Sequence, residues 1–515
     1  MRHLLKSVVT VSFFAILSRV VSFFFKIFLS NYLGAANLGI YQVATSIFFV
    51  LVAVTCTGLP LTISKQTAQF HAQLPNKNAL IQESKSVTAC IVVGTIFSVI
   101  VFALFALFGP LLKPLFADQQ AYTVFLLILP ALLALGVSSP IRSALWGRKM
   151  YTTSSVLEIV EQLLRVGFCV LFVLMLDWNN LFVTAWTFTL SAIVTTVVCA
   201  VFYYKKGGRL SNPKQHFKPL LTTGIPITAT RISNSVVFML ISISIPFLFS
   251  LQGLTTQQSL HMLGASVGMA LPLLFVPNTM VGSLAYIMIP TLSQTDIQSP
   301  QMSQQINGAI KVSCIIACSF VAAFYVIGNH AGLFLFNSFV TGEFLQYSAW
   351  LLIPIALESI TSSMLNALEL EKQGFVNYLI GSAVMFAVMF SFIKGFDLRV
   401  FSLALGLSLT ISTVLDIISI KKKTKIKLTF IYPLTICLLM IVPTVAFTQN
   451  IYNLLQTLTE TKLMQFVRLS ITGTASMGFF VLLIFLVDKL KISAMFGSKK
   501  QKMHNKKLAK KTKMI

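Results

Sequence analysis

The sequence predicts an all-α integral membrane protein of about fourteen transmembrane helices, and three observations carry that prediction. Of the 515 residues, 56% are hydrophobic and only 10% charged, where a soluble domain carries about a quarter charged residues. Apolar runs close to the roughly 20 residues that cross a bilayer as a helix recur from one end to the other. Lysine and arginine collect in alternate connecting segments, as the positive-inside rule requires. Lipid offers the backbone no partners, so each span is a helix or a strand of a closed barrel. Barrel strands alternate over about ten residues, and these runs are longer and uniformly apolar.

The expected spans are 7–30, 39–62, 87–108, 120–145, 153–176, 181–204, 220–248, 262–290, 308–328, 343–367, 374–393, 399–419, 428–448 and 465–487. The opening Met1-Arg2-His3-Leu4-Leu5-Lys6 resembles the basic start of a signal peptide. The apolar run behind it continues to Leu29 and contains Arg19 and Lys26, so it reads as the first span and not as a cleaved leader. Counting from a cytoplasmic N-terminus, the basic clusters at Lys65–Lys85, Arg142–Lys149, Lys205–Lys218 and Lys421–Lys427 all fall inside, as does the tail after Lys489. Lys113, Lys394, Arg399 and Lys462 are the basic residues left outside. Both termini are therefore expected in the cytosol of a multi-pass plasma-membrane protein.

Segment 38–64 resembles segment 263–293, and each follows a span with a buried arginine, Arg19 or Arg231. Such a duplication suits transporters. It divides the chain into a first lobe at 1–204, a cytoplasmic linker at 205–219, a second lobe at 220–419, a terminal helix pair at 420–488 and a basic tail at 489–515. The formal charge of +25 lies in short loops and in that tail, with no aromatic residues interleaved to stack bases, so no nucleic-acid partner is expected. The seven cysteines stand in apolar spans without a CxxC, and the six histidines form no ligand cluster. No cofactor, metal site or catalytic constellation is expected, and the chain does not read as an enzyme.

Charges within spans carry the functional signal, since each costs about 2.5–3.5 kcal/mol at a helix centre unless it meets a polar cavity or a partner. Arg19 and Lys26 stand seven residues apart, on nearly the same face of the first span. Lys26 also suits snorkelling to the outer interface. Glu158, Glu161 and Arg165 follow at i, i+3 and i+7 in the fifth span, with Glu161 and Arg165 spaced for an intrahelical ion pair. Arg231 lies near the middle of the seventh span, with no carboxylate close by in its own helix. Glu358 and Asp416 are more weakly placed, and Asp416 could simply face the Lys421–Lys423 cluster. Arginine in the first span of each half favours an anionic cargo, because guanidinium grips phosphate in a bidentate fork.

The run Ser18-Arg19-Val20, Lys26, Leu33 to Ala44 and Gly58-Leu59-Pro60-Leu61-Thr62-Ile63-Ser64-Lys65 resembles the opening of the stage V sporulation protein B family. Further resemblance lies in Glu161 to Val166, Gly224-Ile225-Pro226, Gly268 to Pro272 and Pro290 to Ser293, so that it spans 7–490. This family is the Gram-positive branch of polysaccharide transporters related to lipid II flippases. The resemblance implies two V-shaped helical lobes around a central cavity and alternating access. Its implied cargo is an undecaprenyl-diphosphate-linked oligosaccharide, such as a peptidoglycan or spore-cortex precursor. It also implies that Arg19, Lys26 and Lys65 line the cavity. With Arg231 they form the expected substrate path, and Glu161 with Arg165, beside Glu158, the expected inner gate. The chain departs from the flippases at Met269-Ala270-Leu271-Pro272, where those often carry an arginine. Two alternatives stand beside this reading. A multidrug and toxin extrusion type antiporter would need a carboxylate cation site, and a non-transporting envelope or sporulation scaffold would need no buried charge. Cell-wall synthesis machinery is a further expected partner.

Overall fold

The computed structural model describes residues 2–56, 58–116, 118–175, 178–293, 299–425, 431–456 and 461–511. Among them there is no strand. The helices are α1 (Arg2–Cys56), α2 (Gly58–Gln73), α3 (Asn76–Leu112), α4 (Gln119–Ile128), α5 (Ala131–Gly147), α6 (Tyr151–Met175), α7 (Asn180–Lys205), α8 (Phe217–Leu251) and α9 (Thr256–Leu263). A π turn at Gly264–Ala270 leads into α10 (Leu271–Leu274), α11 (Asn278–Ser293), α12 (Pro300–Phe336), α13 (Phe339–Tyr347) and α14 (Leu352–Ala367). The chain closes with α15 (Glu371–Ser391), α16 (Leu398–Thr424), α17 (Ile431–Leu454) and α18 (Lys462–Lys511).

Local chemistry sets several boundaries. Asp118 opens α4 by accepting from the Gln120 amide at 2.6 Å, and Asn179 opens α7 by accepting from Leu181 at 3.0 Å. Thr255 and Gln258 form a reciprocal capping box at the start of α9. Proline supplies the bends: α4 and α5 meet at 42° beside Pro130, and the helices flanking Pro277 meet at 51°.

Among the described residues ten helices are long and apolar enough to cross a membrane, or up to twelve if each bent pair is one span. Two features separate that number from the expected fourteen. Unbroken, a helix the length of α1 would reach about 80 Å, against a hydrocarbon core of about 30 Å. It is interrupted at Gly34, whose φ of 72° and ψ of 167° are not helical and fall where glycine is favoured. Helix α6 is apolar along its length, yet Glu158, Glu161 and Arg165 keep it outside a strictly apolar count.

The contacts divide the chain into two units. The first comprises Met1–Leu273, Phe336–Thr341 and Ser382–Ala404, and the second Leu274–Leu335, Gly342–Gly381 and Leu405–Ile515. This grouping cuts the chain elsewhere than the lobes read from the sequence, because α8 packs along α1 and α2. In the first unit α2, α3, α5 and α7 bury Leu59, Ile63, Val87, Ile141 and Leu145 together. There α1 meets the α9–π segment at backbone distance: a Cβ on Gly39 would lie 2.0 Å from the Leu260 carbonyl oxygen, and one on Gly264 lie 1.8 Å from that of Ala35. Only glycine fits such a crossing, as in other close helix pairs in membranes. In the second unit α11 packs on α14 and α17 on α18, around Met302, Ile306, Ile360, Met364 and Phe480.

Candidate functional site

In the first unit, α5 and α6 form a hairpin that turns at Lys149, whose φ is 62°. The turn brings Arg142 of α5 beside Glu161 of α6. Arg142 Nη1 donates to Glu161 Oε2 at 2.9 Å, and Arg165 Nη2, one turn along α6, donates to Oε1 at 3.0 Å. Glu161 is 7% exposed. Arg165 also reaches Ser191 Oγ of α7 at 3.4 Å and lies 4.3 Å from the Phe188 ring centroid, a cation–π distance. Tyr41 and Cys56 of α1 lie within electrostatic reach, the first of Arg165 and the second of Arg142 and Glu161. Two guanidinium groups on one carboxylate leave one positive charge in surplus, with N–H donors to spare. A phosphate or carboxylate can use both.

The residues expected from the sequence are distributed as follows. Glu161 and Arg165 are joined, whereas Glu158 is exposed and takes no part in the triad. Lys26 is half-buried on α1, and among the described residues its ammonium has no hydrogen bond or ion pair. Lys65 is exposed on α2. Arg19 and Arg231 belong to α1 and α8, but their side chains lie outside the described residues. Arg142 was missed because it was counted with the cytoplasmic charges. The signal was present, since Ala144-Leu145-Trp146 continues the apolar run beyond it and α5 extends to Gly147.

A second network ties together the ends of α2, α3, α5 and α7. Glu83, fully buried, accepts from Arg148 Nε at 2.8 Å and from His71 Nε2 at 2.9 Å. Arg148 donates onward to the Lys206 carbonyl at 2.9 Å and stands 5.2 Å from the Tyr203 ring centroid. This cluster is a brace, with its charges matched and enclosed.

The second unit treats its charges differently. Asp416 of α16 is 3% exposed; Oδ1 accepts from Asn377 Nδ2 at 2.8 Å and Oδ2 from the Thr361 hydroxyl at 3.1 Å. Glu358 of α14, three residues before Thr361, adds a second carboxylate that interacts electrostatically with Asp416. Lys421, Lys422 and Lys423 are exposed and make no ion pair with Asp416. Arg468 of α18, 7% exposed, donates through Nε and Nη2 to the Tyr452 carbonyl at 3.1 and 2.7 Å and stacks 3.7 Å from that ring centroid. Here neutral donors, and not arginine, satisfy the buried carboxylate.

Comparison with known proteins agrees with a membrane transporter fold. Stage V sporulation protein B of Bacillus subtilis (strain 168) is 22% identical over 394 residues, covering 72% of this chain and 74% of that protein. The lipid II flippase MurJ, in an inward closed conformation, superposes with a TM-score of 0.71 at 14% identity, over 94% of this chain and 100% of that one. An inward-facing multidrug resistance MATE family transporter of the MOP superfamily gives 0.66 at 13% identity, over 79% and 94%. The family described as polysaccharide biosynthesis protein matches residues 4–296, more than half of the chain. The chain thus belongs to the polysaccharide biosynthesis protein family.

Proposed function

We propose that this protein is a flippase that carries an undecaprenyl-diphosphate-linked oligosaccharide from the inner to the outer leaflet of the plasma membrane by alternating access. It acts as a transporter and not as an enzyme. The observation that carries the reading is the surplus positive charge of Arg142, Glu161 and Arg165 inside a membrane-embedded helical unit. A diphosphate offers the complementary charge and the planar oxygen pairs that guanidinium forks grip. Lys26, without a partner among the described residues, adds a second attraction, and Arg19, Lys65 and Arg231 extend the basic path. Outward movement of an anion is favoured by an inside-negative potential, by about 2.3 kcal/mol per charge per 100 mV. Lipid II or a related cell-wall precursor fits this chemistry, in keeping with the sporulation protein and flippase to which the chain is similar. Both termini face the cytosol, the fold is two six-helix lobes and a terminal pair, and α1 and α6 supply the spans that bring the total to about fourteen.

The test is leaflet exposure. Cells depleted of their resident lipid II flippase and expressing this protein should again show lipid II at the outer surface. Lys26→Ala, Arg19→Ala and Arg231→Ala should each lower exposure at least about tenfold with the protein still present in the membrane, as loss of a charge-assisted contact predicts. Full activity in all three variants would remove the anionic path. No restored exposure with folded protein would remove lipid II as the cargo.

A further inference from the structure

Where α1 breaks, four segments of the first unit line a half-open cleft of about 370 Å³. Ala35, Met269 and Phe336, all under 9% exposed, form its apolar floor. Around the rim stand Asn31, His261 and Asn337, with the Phe339 ring 58% exposed at the edge. Among the described residues no aspartate, glutamate, lysine or arginine lines it. The volume lies within the roughly 300–1,000 Å³ of small-molecule sites, which combine an apolar lining with a few placed polar groups.

The walls are fixed. Thr341 donates its hydroxyl to the Ala265 carbonyl at 3.3 Å, binding the α12–α13 connection to the π turn. Gly34, at a φ of 72°, has open space where a Cβ would stand, so the break in α1 widens the mouth. Asn337 also holds a left-handed backbone, at a φ of 49°. On this rim two polar side chains are uncommitted: neither half-buried His261 nor exposed Asn337 makes a hydrogen bond or ion pair among the described residues.

The lining selects the ligand. The amide and imidazole side chains bring hydrogen-bonding nitrogens and oxygens, which match hydroxyls around a ring. An aromatic face suits the C–H face of a pyranose. An anion is disfavoured, because no cation among the described residues lines the cavity and Ser338 Oγ already caps the α13 amide of Thr341 at 3.2 Å. We propose that this cavity is a saccharide site, which takes an uncharged pyranose unit of the glycan. The proposal rests on the flippase reading for its cargo. With the N-terminus in the cytosol, α1 breaks at the outer face, so the site would hold the sugar as it leaves.

Full-length protein in lipid nanodiscs should give saturation-transfer NMR signals from N-acetylglucosamine. The double variant His261→Ala, Asn337→Gly keeps the left-handed backbone and removes only uncommitted side chains, so it should fold and bind about tenfold more weakly. Sodium phosphate should not displace the sugar. Unchanged binding in the double variant, displacement by phosphate, or no sugar signal would each overturn the site. Translocation of a lipid-linked oligosaccharide in proteoliposomes separates the two ideas. Translocation without sugar binding removes this site and leaves the flippase, whereas sugar binding at these residues without translocation removes the flippase and leaves the site.

Discussion

The two units bury charge in opposite ways. In the first, both buried glutamates are held by arginine: Glu161 by Arg142 and Arg165, and Glu83 by Arg148 with His71 beside it. In the second, the buried Asp416 meets an amide and a hydroxyl, and the buried Arg468 meets a carbonyl and an aromatic ring. Two arginines on one glutamate leave the first unit a surplus of positive charge suited to an anion. In the second unit a neutral amide and a hydroxyl stand where the first unit uses a counter-charge. The first unit matches charge with charge, and the second matches charge with dipoles.

This contrast can be broken most forcefully at Glu161. Glu161→Ala leaves two arginines facing each other without a counter-charge, and should cost about 3–5 kcal/mol of stability in detergent unfolding. A loss below about 1 kcal/mol would mean that the triad is solvated and exerts no hold on the fold. Arg468→Met is the matched test in the second unit. It removes two donors from the Tyr452 carbonyl but also a buried charge, so the loss should be only about 1–2 kcal/mol. Equal losses at the two sites would erase the distinction. Asp416→Asn should leave thermal stability within about 1 kcal/mol, because its partners are neutral. A loss of about 3 kcal/mol or more would mean that a counter-charge holds Asp416 as it holds Glu161.

The smallest effect sharpens the contrast by exception. His216, before α8 in the first unit, is a base without an acid: burial, and then the nearby Lys85, lower its pKa. Its folded form therefore resists the proton that the unfolded chain accepts. Stability should be complete above the ordinary histidine value of about 6.5 and decline slightly as pH falls below it. His216→Phe should remove that decline in melting temperatures taken at pH 5 and pH 8, while the wild-type protein retains it.

Particular residues show how far the sequence could be read. Glu161 and Arg165 are four apart on one helix, and helical spacing alone predicts their bond. Arg142 is nineteen residues from Glu161, and only the angle of the α5–α6 hairpin brings the two within 2.9 Å. For Asp416 the sequence offers the Lys421–Lys423 cluster as one neighbour it could face, yet helix packing gives it Thr361 and Asn377, 55 and 39 positions away. Glu83 drew no notice as a loop residue, because burial of a helix end depends on neighbours that the local sequence does not name.

By itself the sequence determined the solvent and the element type. Apolar length and the absence of backbone partners in lipid leave helices as the outcome, and the opening motifs carry the family resemblance. The tertiary structure decided which charges are satisfied. Ion pairs form between side chains a few ångströms apart, and that proximity is set by helix crossings such as Gly147, beside Arg148, on the Ser64 backbone and by the turn at Lys149. The fold class was legible because it depends on composition summed over whole segments. The charge pattern was not, because it depends on single contacts between residues distant in the chain.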